Sequence, residues 1–357
     1  MSHARALALC IALLVVAAPV PAQTRSRAWR AADCADAANA RLRRRAIDSL
    51  FVALAADAAR DLRGVVVVRC GTRVAERYFN GADAATLHDV RSATKSITAL
   101  LVGIAIERGL LPGTEASIAD LLPPGVPPAQ RAIRLADLLT MRSGLDADDE
   151  DPAAPGNEDR LDASADWLAF AAACPVRRPP GDRYLYNSLN AFLVGAAVER
   201  ATGLPLRTFA DRVLFRPLGI TRHAWRRGPR GEGVGQGNLS LTTRDLAAIG
   251  ELLRAGGVAR GRQVVPRAWV DSVWAARVAI GDVDRYADSY GYLWYAKRHD
   301  VRGRPTTVHF ASGNGGNKIY VVPSAGLVVA ITSAAYGRGY GQRRSEGILL
   351  SVLGAVR

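Results

Sequence analysis

Apolar positions follow two different periods along the chain, and the changes between them outline its organisation. A short apolar stretch at residues 6–19 (ALALCIALLVVAAP) follows a positive start at His3 and Arg5 and stops before Val20-Pro21-Ala22. This is the pattern of a secretory signal, too short to span a bilayer comfortably and closed by small residues ahead of Gln23. An amphipathic helix is predicted near residues 44–61. Two β-rich runs, Val65–Val68 and Thr72–Phe79, flank Cys70-Gly71 and predict a hairpin. From residue 93 to about 280 the period is mostly helical. Ile97–Arg108 stops at Gly109, Ala191–Ala201 stops at Gly203, and Thr243–Ala255 opens on Thr243 and Asp245. Strand character returns near residue 286. Tyr290–Ala296, Thr306–Ala311, Lys318–Pro323 and Gly326–Ser333 read as four short strands, and Glu346–Val356 as a closing helix.

This order predicts an α+β chain. Residues 1–22 form the signal and 23–44 a lead-in. Residues 45–92 and 285–357 form one discontinuous α/β domain with an antiparallel sheet, interrupted by a helical insert domain over 93–284. The groove between the two is the expected site.

Composition narrows the function classes. The 357 residues are 49% hydrophobic and 22% charged, which excludes a disordered or low-complexity chain. No long apolar run follows the N-terminus, which excludes a multi-span membrane protein, and no stable span is expected after signal cleavage. The net charge of +14 raises nucleic acid as a partner. No nucleic-acid motif accompanies it, so the charge reads as a solvated basic surface, compatible with an anionic cell wall. Only three basic residues are lysine, Lys95, Lys297 and Lys318, so the setting of each is informative. After signal cleavage Cys34, Cys70 and Cys174 remain, which allow one disulfide at most and match no zinc spacing. Cys70, behind Val65–Val68, reads as a small core residue. His88, His223, His299 and His309 have no metal-ligand spacing, and no metal or cofactor is expected.

The candidate chemistry starts at Arg91-Ser92-Ala93-Thr94-Lys95-Ser96, which leads into the apolar helix. Ser92 and Lys95 are three apart and share a helix face, so an amine can reach a hydroxyl. A serine becomes nucleophilic beside a base, and burial is expected to lower the pKa of the lysine enough to make it one. Backbone N–H groups at a helix start also favour a developing oxyanion. Tyr186 and Ser188 form a second motif just before a helix, and a phenol beside an ammonium can shuttle protons. Ala311–Lys318 forms a third, where glycines let a substrate approach a strand edge. Gly231–Gly237 is glycine-rich but lacks dinucleotide spacing, and is expected to be a mobile loop. There is no G-x-S-x-G elbow.

Together these segments resemble the serine β-lactamase and penicillin-binding-protein superfamily, over roughly residues 45–350. They look most like the class C β-lactamase-related hydrolases, which include esterases, D-aminopeptidases and 6-aminohexanoate-dimer hydrolases. The motifs are Ser92-Ala-Thr-Lys95, Asp137–Leu145 (DLLTMRSGL), Tyr186-Asn-Ser188, Gln236–Asp245 (QGNLSLTTRD) and Gly313–Pro323 (GNGGNKIYVVP). The resemblance implies a β-lactamase/transpeptidase-like fold and an exported, periplasmic or secreted, serine hydrolase. Ser92 would be acylated, with Lys95 and Tyr186 as proton-transfer partners and Ser188 supporting them. Ser312 or Gly313 would stand at the third motif, the oxyanion being held by backbone N–H groups of Ser92 and of that motif. The usual K-T-G or H-x-G triplet is absent. The expected substrate is therefore a small ester, amide or peptide-like molecule rather than a β-lactam. The alternatives are a D,D-peptidase or β-lactamase on cell-wall amides, or a binding homologue without turnover.

Overall fold

The computed structural model describes Cys34 and residues 42–356; the signal at 1–22 and most of the lead-in lie outside them. Helix α1 (Arg44–Ala55) precedes the hairpin of β1 (Leu62–Arg69) and β2 (Thr72–Tyr78). Cys70 and Gly71 turn it with φ of 48° and 79°, the pair of positive values that a tight hairpin requires. The chain then enters α2 (Ala93–Glu107), α3 (Glu158–Ala163), α4 (Ser188–Thr202) and α5 (Thr243–Arg254), with shorter helices between them. It returns through β3 (Tyr295–Val301), β4 (Arg304–Gly313), β5 (Asn317–Val322) and β6 (Leu327–Ser333), and ends in α6 (Tyr340–Ala355).

Among the described residues the main sheet runs β2-β1-β6-β5-β4-β3, followed by two two-residue strands, Ser289–Tyr290 and Val278–Ala279. Every pairing is antiparallel, and Val65–Val68 pair with Val328–Ile331 across the centre. The two ends of the sequence thus share one sheet, while the intervening helices bury their apolar sides near α2 and α4. Both helices are buried almost all round, which is why their sequences show little amphipathic contrast.

Three expectations need correction. The helix α5, assigned to the insert, packs on the sheet, and Gly250 makes room for Val328 and Ile319. Tyr290–Ala296 is not one strand. The chain turns at Gly291–Trp294, with Leu293 at φ 56°, and the true strand β3 carries the polar run Lys297–Val301. That strand was hidden because charged, half-exposed residues lack the alternation that marks strands. Cys70 is not a lone core residue: it forms a disulfide with Cys34, leaving Cys174 as a buried free thiol.

The interior of the sheet holds an unusual residue. Lys318 on β5 is 2% exposed, and its Nζ donates to Ser312 Oγ on β4 at 2.7 Å. The Phe310 ring centroid is 4.7 Å from the amine. Burial lowers its pKa to about 7, because no carboxylate among the described residues reaches it closely enough to offset desolvation. Below pH 7 the folded state must carry this buried charge. Between about pH 7 and 10 the unfolded state binds the extra proton, so the penalty shrinks as pH rises. Lys318→Met is therefore expected to raise the melting temperature at pH 6 by about 2 °C or more, with the gain fading toward pH 10. Paired thermal melts across that range check this, and a gain that grows with pH would overturn it.

Candidate active site

The position of Ser92 is fixed by the turn before it. Asp89 Oδ1 accepts from the Arg91 N–H at 2.8 Å. Arg91 adopts φ 52°, a conformation that costs energy in a non-glycine residue. Its guanidinium lies 4.3 Å from the Tyr336 ring centroid, and the Tyr336 hydroxyl donates to the Asp89 carbonyl at 2.9 Å. Asn238 also donates to Asp89 Oδ2 at 3.1 Å. This turn delivers Ser92 to the start of α2, and the first N–H groups of the helix bond back to it, Ala93 to the Val90 carbonyl, Thr94 to Arg91 and Lys95 to Ser92.

One helical turn on, Lys95 is 2% exposed. Its Nζ donates to Ser92 Oγ, to Ser188 Oγ and to the Gln236 carbonyl, each at 3.0 Å. An ammonium has three N–H bonds, and all three are used. The Tyr186 ring centroid lies 5.0 Å from Nζ, and both Ser92 and Lys95 favour the ionised form of its phenol. Asn187 caps α4 by accepting from the Asn190 N–H at 2.9 Å, which sets Ser188 at the helix start facing Lys95.

Two carboxylates complete the centre. Ser188 Oγ lies 2.8 Å from Asp149 Oδ2 and 2.6 Å from Glu158 Oε2. Asn157 brings these acids together. Its side-chain N–H groups donate to the carbonyls of Asp148, Asp149 and Asp151, and its oxygen caps α3 by accepting from the Asp159 N–H at 2.9 Å.

These groups reverse one expectation. Burial alone would lower the pKa of Lys95, as the sequence suggested. The acidic groups of Tyr186, Asp149 and Glu158 outweigh it and hold the amine above its ordinary value. Burial raises the Tyr186 phenol, with Lys95 opposing. Burial also pushes Asp149 up to about 6, with Glu158 adding to the shift and Lys95 opposing it.

The glycine-rich segment is not a mobile loop. Residues 233–237 are buried, and Gly235 packs so closely on α4 that a Cβ there would lie 2.5 Å from the Ala191 carbonyl. Thr98 Oγ1 donates to the Gly235 carbonyl at 2.8 Å. The glycines let this backbone come close enough to hand Lys95 its third acceptor.

The third motif sits beside the site in a particular way. Gly313 backs onto the turn before α2, where a Cβ would lie 2.0 Å from the Val90 carbonyl. Strand β4 runs past the end of its pairing with β3 at Phe310, so Ala311–Gly313 keep an edge that β3 does not cover. Ser312 accepts from Lys318. Neither Ser312 nor Gly313 lines the pocket of about 240 Å³ over Ser92. Its walls include Arg91, Glu158, Asn238, Asn314 and Tyr336.

The structure thus brings Ser92, Lys95, Tyr186 and Ser188 together. Sequence reasoning missed Asp149, Glu158 and the Gln236 carbonyl. The acids lie in the run DADDEDPAAPGNED over 146–159, where no pattern separates the two that reach Ser188 from their solvated neighbours. The Gln236 contact is made by backbone and leaves no mark on residue type.

The chain is similar to known proteins in sequence and in fold. The family model described as Beta-lactamase matches residues 47–353. The 6-aminohexanoate-dimer hydrolase of Paenarthrobacter ureafaciens is 29% identical over 59% of this chain, and the match spans only 56% of that relative's own length. A penicillin-binding protein homologue from Caulobacter crescentus superposes with a TM-score of 0.67 at 19% identity, covering 87% of this chain and 97% of that one. A D-stereospecific amidohydrolase from Streptomyces sp. gives a TM-score of 0.63 at 19% identity, covering 84% and 98%. The last two are likenesses of fold. With the family match spanning both halves of the sheet and the helices between them, the chain belongs to the Beta-lactamase family.

Proposed function

We propose that this protein is an exported serine hydrolase that cleaves an amide or ester bond through an acyl-enzyme on Ser92. The observation that carries this reading is the buried Lys95 amine, 3.0 Å from Ser92 Oγ at the start of α2. Ser92 attacks the carbonyl carbon while its proton passes to the Lys95–Tyr186 pair. The leaving amine or alcohol takes a proton back from the same pair. Water then releases the acyl group by the reverse path. By the resemblance the oxyanion would be held by the N–H of Ser92 and by one from the third motif, where Asn314 lines the same pocket as Ser92. The relative named 6-aminohexanoate-dimer hydrolase and the fold likeness to an amidohydrolase favour an amide substrate. A K-T-G triplet is absent, which speaks against a β-lactam.

Export is supported by the Cys34–Cys70 disulfide, since such bonds persist in oxidising compartments. The signal pattern at 1–22 lies outside the described residues. No helix among them is long and apolar enough to cross a membrane. An association with the cell wall rests on the basic charge alone.

Intact-mass spectrometry after treatment with a fluorophosphonate probe tests the nucleophile. One adduct is expected on the wild type, with none on Ser92→Ala or Lys95→Ala. An adduct that survives Ser92→Ala would move the nucleophile elsewhere, first to Ser188 or Ser312, the other serines bonded to a buried lysine. Turnover of p-nitrophenyl esters and anilides without turnover of nitrocefin would separate this reading from a β-lactamase. Gly313→Ala should leave a folded protein in which β4 is pushed off the turn before Ser92. An ångström of displacement costs on the order of 100-fold in rate, so acylation should fall by about that factor. Near-normal acylation would mean that the strand and turn do not need this close contact.

A further inference from the structure

The site as described poses a problem. Ser92 needs a free amine, yet Lys95 is held as an ammonium with all three N–H bonds engaged and 2% of its surface exposed. Bulk water cannot readily take its proton. The contacts around Ser188 offer a route.

Ser188 Oγ has one hydrogen and two lone pairs. Lys95 occupies one lone pair. The two carboxyl contacts, 2.8 Å to Asp149 and 2.6 Å to Glu158, both have the length of an O–H···O bond. The serine hydrogen can serve only one of them. The other contact requires a proton on the acid, which then donates to the remaining lone pair. The count closes only if the two acids hold one proton between them. Asp149 Oδ1 fits this state, being buried without a hydrogen-bond partner, where a neutral carboxyl loses less than a charged one. Glu158 provides the connection outward. It is exposed overall and lines the pocket above Ser92.

We propose that Asp149 and Glu158 form one carboxyl pair that takes the proton of Lys95 through the Ser188 hydroxyl, freeing the amine for Ser92 and passing the proton to the pocket mouth. The proposal rests on the reading of Ser92 and Lys95 given above. In the step, a Lys95 N–H bond breaks and its proton goes to Ser188 Oγ. The former Ser188 proton goes to the ionised oxygen of the pair, where a carboxyl O–H forms. The serine keeps one hydrogen, the ammonium becomes an amine, and the pair becomes less negative by one charge. Asp149 and Glu158 act on Ser92 through Ser188 and Lys95, as positioning residues for the Lys95 proton.

The charged surroundings of the pair are few. Lys95 faces it from α2, Tyr186 from the segment before α4, and Glu158 from α3. The glycine-rich segment adds only the Gln236 carbonyl. Arg91, Asp159 and Asp162 line the mouth together with Glu158, and Asp162 pairs with Arg226 at 2.8 Å.

The test uses the full chain with Asp149→Asn, Glu158→Gln, the double variant and the conservative Glu158→Asp. The first readout is the rate of fluorophosphonate labelling at Ser92 against pH. In the double variant the rate should fall roughly tenfold or more. Its rising limb should move down by about one pH unit, because the ammonium loses the carboxylates that hold its proton. Glu158→Asp should keep most of the rate. A drop by one constant factor at every pH, with the limb unmoved, would mean that the acids merely hold Ser188 in place, and would overturn the proposal. Glu158 is exposed, so its single variants carry this test if Asp149→Asn fails to fold.

The second readout needs no activity. At about pH 5.5, above the ordinary carboxyl range, infrared difference spectra should show a protonated carboxyl band that Asp149→Asn removes. The titration midpoint of that band should rise in Lys95→Met. Absence of the band in the wild type, or a midpoint indifferent to Lys95, would overturn the proposal. A wild type that does not label at all would instead sink the Ser92 reading, and the infrared titration would then decide the pair on its own.

Discussion

Burying the Lys95 ammonium is the constraint on which the rest of the structure depends. Taking such a charge out of water costs several kcal/mol even after relaxation, so every N–H must find an acceptor. The three acceptors come from three places. Ser92 is supplied by the turn before α2, Ser188 by the capped start of α4, and the Gln236 carbonyl by the glycine-rich segment. Each is then fixed in turn. Gly235 must be glycine to let its segment lie against α4, and Asn157 must cap α3 to bring Glu158 next to Ser188. A single buried cation thus ties together parts of the chain more than 140 residues apart.

Lys318 shows what happens without that provision. Both lysines are 2% exposed and both reach a serine hydroxyl. Lys318 has aromatic rings and one hydroxyl around it, and burial lowers its pKa to about 7. Lys95 has the Tyr186 phenol beside it and two carboxyl groups one serine away, and its pKa rises. Burial by itself therefore does not decide the charge of an inward lysine; the nearest acids do. This is also why the argument from the apolar run after Lys95 placed the residue correctly and gave its shift the wrong sign.

The parts of the fold legible in the sequence were those whose signal is local. Val65–Val68, Ile97–Arg108 and the glycines at 109 and 203 announce a strand and the ends of two helices by their own side chains. The rarity of lysine singled out Lys95, and its spacing from Ser92 named the partner. The strand at 295–301 was illegible because its polar residues gain strand geometry only from pairing with Arg304–Phe310. Lys318 was counted among the three lysines, yet its bond to Ser312 depends on a strand register that the sequence does not display. Asp149 and Glu158 reach Ser188 through a loop folded by Asn157, and such a loop has no period to read.

The choice of lysine at 95 follows from the same physics. The chain uses arginine almost everywhere a cation is needed, as at Arg226, Arg244 and Arg344, where a planar fork grips exposed or half-buried acids. A guanidinium at position 95 could also satisfy several acceptors and carry the charge at similar cost. It could not act as a base, because its proton does not leave within the range of pH in which proteins work. An ammonium holds its proton firmly only while acids beside it are ionised, and releases it when they are not. The same carboxylates that make the buried charge tolerable therefore govern when it is given up, and only a lysine can respond to them.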